Sequence, residues 1–180
     1  MPRLLTVALA VSALALAACG DAEAPAPEPA PPVTDAPTVA ASRPLVTDVV
    51  AASPRLRTTA RLLAVAGLDA MLRDTARTWT LFAPSDDAWA ALGDDAVARL
   101  EADPAAARAA LLSHVLGTRM LAADVFPDLA FESEGGTEVS FLETDAGLAV
   151  RGLDGTGQIT DADLDADNGV VHIIDAVLDR

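Results

Sequence analysis

Few residues in this sequence could do chemistry. Asp161, Asp163, Asp165 and Asp167 alternate along one stretch, which suggests a calcium loop. An EF-hand needs Gly at its sixth position and Glu at its twelfth. Counted from Asp161 those positions hold Ala166 and His172, and from Asp163 they hold Asn168 and Ile174, so the motif fails in both frames. A period of two instead puts the four carboxylates on one solvated face of a strand and loop. His114 and His172 are the only histidines. A structural zinc site takes four ligands and a catalytic one three, usually clustered, and two separated imidazoles supply neither. Each histidine is read as a hydrogen-bonded structural residue, His114 at a helix-to-strand junction and His172 inside a core strand. Replacing His172 with Ala should therefore lower stability without selectively abolishing binding. Ser113 and His114 are sequence neighbours, which is not triad geometry, and the chain has no Gly-x-Ser-x-Gly elbow. No glycine-rich loop leads into a helix in the phosphate-binding pattern. The expectation is a protein that is not an enzyme and carries neither metal nor cofactor.

The elements that position these residues can be read from pattern. Asn168 to Leu178 opens on Asn-Gly, a turn dipeptide, and continues almost without interruption in apolar, β-branched residues. Such a run reads as a strand covered on both faces. Asp175 interrupts it, and an unpaired buried carboxylate costs several kcal/mol, so Asp175 should be hydrogen-bonded or sit at the strand's edge. Leu45, Val46, Val49 and Val50 share a helical face. Ser53-Pro54 reads as a cap followed by proline at the first helical position, with Leu56, Ala60, Leu63 and Ala64 as the apolar stripe and Gly67 as the stop. Leu68, Met71 and Leu72 suggest a short further turn. Trp79 to Ala83 is a strand ended by Pro84, and Ser85 caps a helix with Trp89 and Leu92 facing inward. Asp103-Pro104 opens another, its face running through Ala107, Leu111 and Val115 to an exit at Gly117. Beyond Asp128 come strands: Val139 and Phe141 alternate with polar neighbours, Asp145-Ala146-Gly147 turns a hairpin into Leu148-Ala149-Val150, and Ile159 to Leu164 follows. Helices first and strands second argue an α+β fold in one domain.

The first 18 residues read as a targeting segment. Arg3 supplies a short positive start, and Leu4 to Ala18 is apolar or small apart from Thr6 and Ser12. That run is short of the roughly 20 residues a membrane-spanning helix needs and suits a signal peptide. Leu16-Ala17-Ala18-Cys19 resembles the lipobox of bacterial lipoproteins, which implies cleavage before Cys19 and lipidation of its thiol. Cys19 is the only cysteine, so no intrachain disulfide can form. Two or three acyl chains, as that class carries, hold a protein stably where one does so only marginally. The same resemblance implies that Gly20 after the Cys, where Asp would mark inner-membrane retention, directs the protein to the outer membrane if the host has two. Residues 19–44 are mostly Pro, Ala and acid, a composition that cannot bury enough apolar surface to fold. A polyproline-biased tether of this length reaches up to about 75 Å at roughly 3 Å per residue.

The net charge of -15 sets twelve Arg against twenty-seven acids. A chain this acidic repels phosphate backbones and anionic lipid surfaces, which argues against nucleic-acid binding.

Three ordered segments resemble the fasciclin domain, an extracellular adhesion and ligand-binding module. Thr80 to Trp89 is similar to its first signature, Leu111 to Gly117 to its middle motif, and Asn168 to Leu178 to its second signature. Leu121 to Val125 also fits. The resemblance covers residues 45–180 and implies a wedge of strands with helices packed along it, the two signatures forming neighbouring central strands. It also implies adhesion or binding of an envelope or extracellular protein or glycan. Many relatives place Tyr before the middle-motif His, where this chain has Ser113, so the integrin-type recognition of some animal members does not carry over. The binding surface is expected near His114 and Asp124. The competing expectation is a small-molecule or metal-binding envelope protein using a groove between helices and strands.

Overall fold

The computed structural model describes residues 43–126 and 129–178. The expected signal segment, Cys19 and nearly all of the tether lie outside the described residues. Among the described residues six helices and seven strands follow one another: α1 Val46–Ala52, α2 Arg57–Val65, α3 Asp69–Leu72, β1 Trp79–Pro84, α4 Asp86–Leu92, α5 Asp94–Ala102 and α6 Pro104–Leu112. Then come β2 Val115–Leu116, a 3-10 turn at Ala122–Asp124, β3 Ala130–Glu132, β4 Glu138–Thr144, β5 Gly147–Arg151, β6 Thr156–Ala166 and β7 Gly169–Ile174. The strands form one seven-stranded sheet in the order β2-β1-β7-β6-β5-β4-β3. The architecture is the α+β single domain expected from the sequence.

The seam of the fold is the parallel pair β1 and β7, in register from Trp79 beside Gly169 to Pro84 beside Ile174. Every residue of both strands is buried. Alternation sends their side chains to two cores. Trp79, Leu81, Ala83, Val171 and Ile173 pack on one face against Leu62, Leu63, Trp89 and Leu111 of the helices. Phe82 and Ile174 pack on the other against Val139, Phe141 and Val150 of the antiparallel strands. A strand sandwiched this way cannot show a period of two in hydrophobicity, because both faces are apolar surroundings.

Glycine matters most where this seam turns. The Asn-Gly dipeptide marks a turn in the sequence, but the turn occupies Asp167 and Asn168, and neither Asn168 nor Gly169 has a left-handed backbone. Gly169 is required for a different reason: a Cβ there would lie 2.1 Å from the Trp79 carbonyl oxygen. Asn168, read only as a turn former, is a buried bracket. Its Oδ1 accepts from the Val46 N–H at 3.0 Å, and its Nδ2 donates to the Leu72 carbonyl at 2.6 Å. It thereby satisfies one helix's start and another's end.

Some helix boundaries lie where the sequence places them and others do not. Ser85 caps α4 through the Ala88 N–H, Asp103 caps α6 through Ala105 and Ala106, and Gly67 leaves α2 at φ 65°. The Ser53-Pro54 cap is corrected: both residues lie in the connection, and α2 begins at Arg57. Its donors are met from afar, since the Thr58 N–H donates to Asp86 Oδ1 at 2.8 Å. The buried stripe of α2 is consequently Thr59, Leu62 and Leu63, with Ala64 exposed. Helix α6 stops at Leu112, so Val115 belongs to β2. Helix α5 is absent from the sequence reading; its apolar stripe is short, Val97 and Leu100 lying partly buried against the helical core with no residue fully buried.

Thr59 joins helix to strand. Its hydroxyl donates to the Pro84 carbonyl at 2.6 Å and accepts from Trp89 Nε1–H at 2.8 Å, wholly buried. Thr59→Val keeps the shape and orphans both partners, an expected loss of about 2 kcal/mol in urea unfolding. A loss below a few tenths would mean the triad contributes nothing.

Candidate binding surface

Between β2 and β3 the chain crosses from β1 over β7 and β6, fastened at successive points by the buried Thr80 and His172 and by the exposed Arg119 and Asp163. The Thr80 hydroxyl donates to the Thr118 carbonyl at 2.7 Å and accepts from the Met120 N–H at 2.9 Å. His172 Nε2 lies 3.0 Å from the Met120 carbonyl, and the Asp163 N–H lies 3.2 Å from His172 Nδ1. A carbonyl can only accept and an amide N–H only donate, so His172 is the neutral Nε2–H tautomer. The Ala122 N–H in turn donates to Asp163 Oδ1 at 2.8 Å. Arg119 donates to the Gly169 carbonyl at 3.0 Å and to Asp165 at 2.6 Å. Met120 and Val125 lie against the inter-strand core, one buried and one partly so.

The electrostatics suit a fixed loop. Burial, the largest influence, pushes the His172 pKa below its ordinary value, against the Met120 hydrogen bond and the Asp163 charge. Its ring stacks on Phe82 with centroids 5.4 Å apart and planes 17° from parallel. The hydrogen bond from Arg119 holds the exposed Asp165 carboxyl below the usual range. Asp163 is the one non-glycine residue with positive φ among the described residues, at 59°, within the second register shift of β6, between Asp161 and Leu164.

Those shifts correct the reading of the aspartates. The irregularities between Ile159 and Asp161 and between Asp161 and Leu164 break the period of two. Asp161 pairs with Arg55, Asp165 with Arg43 and Arg119, and Asp163 accepts from Ala122. Among the described residues no three or more His, Cys, Asp or Glu side chains group as a metal site would require. Asp175 sits just past the end of β7, exposed, and accepts from the Gln158 N–H at 2.7 Å, the backbone partner and edge position expected of it.

His114 and Asp124 have different fates. The imidazole of His114 is wholly buried, with Nδ1 2.8 Å from the Ala110 carbonyl and Nε2 accepting from the Leu178 N–H at 3.0 Å. It ties the end of α6 to the C-terminal segment and presents no surface to a partner in this conformation. Asp124 is exposed on the 3-10 turn. Phe126, at 66 % exposure, stands two residues on. An open depression lined by Ala122, Val125, Glu143, Gly147 and Leu148 adjoins them. Thr80, Arg119 and Asp163 were not singled out as holding this loop. Thr80 looked like any strand threonine, and Asp163 was hidden in an acidic run. A groove between α4 and the C-terminal segment, lined by Ala88, Ala91, Leu92, Asp175, Ala176 and Val177, offers a single charged side chain. No helix among the described residues is long and apolar enough to cross a membrane.

Comparison with known proteins fits this geometry. The chain is 32% identical over 116 residues to the transforming growth factor-beta-induced protein ig-h3 of Sus scrofa, covering 64% of this chain and 16% of that protein. It is 29% identical over 111 residues to human (Homo sapiens) periostin, covering 62% of this chain and 13% of periostin. It therefore spans less than a fifth of the length of these relatives. The FAS1 domain pair of the insect cell adhesion molecule fasciclin I superimposes with a TM-score of 0.68 at 16% identity, over 77% of this chain and 52% of that one. The fasciclin domain model matches residues 54–180, and Asn168 bonds α1, which precedes that span, into the same fold. On that match, with the two signature segments lying side by side as β1 and β7, the chain belongs to the fasciclin domain family.

Proposed function

We propose that this protein is a lipid-anchored adhesion module of the cell envelope, held through Cys19 on the Pro-rich tether, that recognises an envelope or extracellular protein or glycan without catalysing a reaction. The observation that carries this reading is the loop from Thr118 to Phe126, fastened by Thr80, His172, Asp163 and Arg119 while Asp124 and Phe126 stay exposed. A pre-ordered loop loses little conformational entropy on binding, so exposed side chains on it convert contacts into affinity efficiently. The occurrence of fasciclin domains in a cell adhesion molecule supports the class of partner. Asp124 is the residue assigned to the contact. The buried His114 supports the neighbouring framework.

Two experiments test this. A Cys19→Ser protein should leave the membrane fraction for the soluble one, and retention in the membrane would sink the anchor. The soluble form, applied to glycan arrays and to the host's envelope proteins, should capture a partner that Asp124→Ala captures about tenfold more weakly, the loss expected of about 1.4 kcal/mol at an interface. Equal capture by both forms would remove Asp124 from the surface.

A further inference from the structure

A separate feature lies at the end of the sheet. Strand β3 is its terminal strand, hydrogen-bonded on one side only, to β4. The Ser133 N–H donates to the Thr137 carbonyl at 2.8 Å. Antiparallel ladders alternate bonded and non-bonded pairs, so Phe131 opposite Val139 is the next bonded pair and Glu132 opposite Glu138 a non-bonded one. The N–H and C=O groups of Ala130 and Glu132 therefore point away from β4, and both residues are exposed. Leu129, just before the strand, is 43% exposed.

The side chains on this edge are mismatched with each other. Glu132 and Glu138 stand directly opposite, where side chains approach most closely and like charges repel. Both are exposed, and neither forms an ion pair among the described residues, whereas nearby Glu134 is neutralised by Arg77 at 2.6 Å. Ala130, Phe131, Glu132, Gly136 and Glu138 line an open depression. Phe131 meets Phe141 edge-on and turns away from the acidic face.

We propose that the open edge of β3 is a docking strand for an extended segment of a partner protein carrying Lys or Arg at alternate positions, which pairs with the backbone of Ala130 and Glu132 and neutralises Glu132 and Glu138. Addition of a strand to a free edge takes affinity from main-chain hydrogen bonds and specificity from alternate side chains. Charge excludes the other occupants. A second copy would bring its own Glu132 and Glu138 against this pair. The tether at residues 19–44 is acidic, and its prolines lack the N–H donors a ladder needs. The basic side chains face the two glutamates, and the residues between them face Leu129 and Phe131.

The test uses the mature full-length chain and a labelled hexapeptide of alternating Lys and Val, read by fluorescence anisotropy. Saturable binding is expected, weakened about tenfold in Glu132→Gln/Glu138→Gln, the effect of losing two ion pairs of modest strength. The double variant should unfold at no lower a temperature than the wild type, since it relieves a repulsion. N-methylating alternate residues of the peptide should abolish binding, and Asp124→Ala should leave it unchanged, which separates this edge from the Asp124 loop. Equal binding by the double variant or of the N-methylated peptide would reduce the effect to general attraction by an acidic protein and overturn the proposal. So would absence of saturable binding, or self-association of the wild-type chain through β3.

Discussion

His172→Ala should destabilise the domain by about 3 kcal/mol, measured as a lower urea midpoint with an unchanged slope. Three losses combine: the packing of a buried ring, its stacking on Phe82, and the hydrogen bonds that leave the Met120 carbonyl and Asp163 N–H without their partner. For a domain whose whole stability is on the order of 5–15 kcal/mol this is a large share. Wild-type stability in the variant would show that the ring is a passenger. A pH dependence follows with a definite sign. Burial keeps the folded ring neutral below the ordinary histidine pKa. The unfolded chain binds a proton near pH 6.5, where the folded chain does not, so stability rises with pH through that window. The contribution is complete above about pH 7 and is lost as pH falls from 6.5 towards the lowered folded value. His172→Ala should lack this part of the acid sensitivity. If stability gained on acidification, the neutral tautomer assigned to His172 would be wrong.

Gly169→Ala is expected to cost at least as much. Its new Cβ would stand 2.1 Å from the Trp79 carbonyl oxygen and 2.9 Å from Val46 Cγ2. The first obstacle is backbone at the start of the β1–β7 register, so relief requires the two central strands to part or α1 to lift. Overpacking a rigid site costs about 1–3 kcal/mol, occasionally more, and this position belongs at the upper end. Gly67 supplies the contrast. It has φ 65°, and a Cβ added there would meet nothing within 4 Å, so Gly67→Ala should cost only about 1 kcal/mol, the ordinary penalty for a left-handed residue. Thermal unfolding of the two variants separates steric from conformational cost, and equal losses would contradict the close approach at the seam.

The seam itself was legible in the sequence, because runs such as Trp79 to Ala83 and Val170 to Ile174 carry their double burial in their composition. Local caps were legible for the same reason: Ser85 and Asp103 bond to amides within three residues. What could not be read were devices that depend on distant chain. Asp86 caps α2 across 28 residues, and Asn168 reaches back 122 to Val46. The aspartates show the limit most plainly. Their spacing in sequence was regular, and two register shifts in β6 redistributed them to three different tasks. His114 was correctly placed at the end of a helix, but nothing local revealed that its second nitrogen would hold Leu178.

The most direct test of the binding account is site-specific photo-crosslinking in the native envelope. A crosslinker at position 124, on the fastened loop, should trap one defined partner, and an excess of the soluble domain should suppress the product. The same group at Asp95, exposed on α5, should trap none of it. Equal products from both positions, or none from position 124, would contradict the assignment of the loop as the recognition surface.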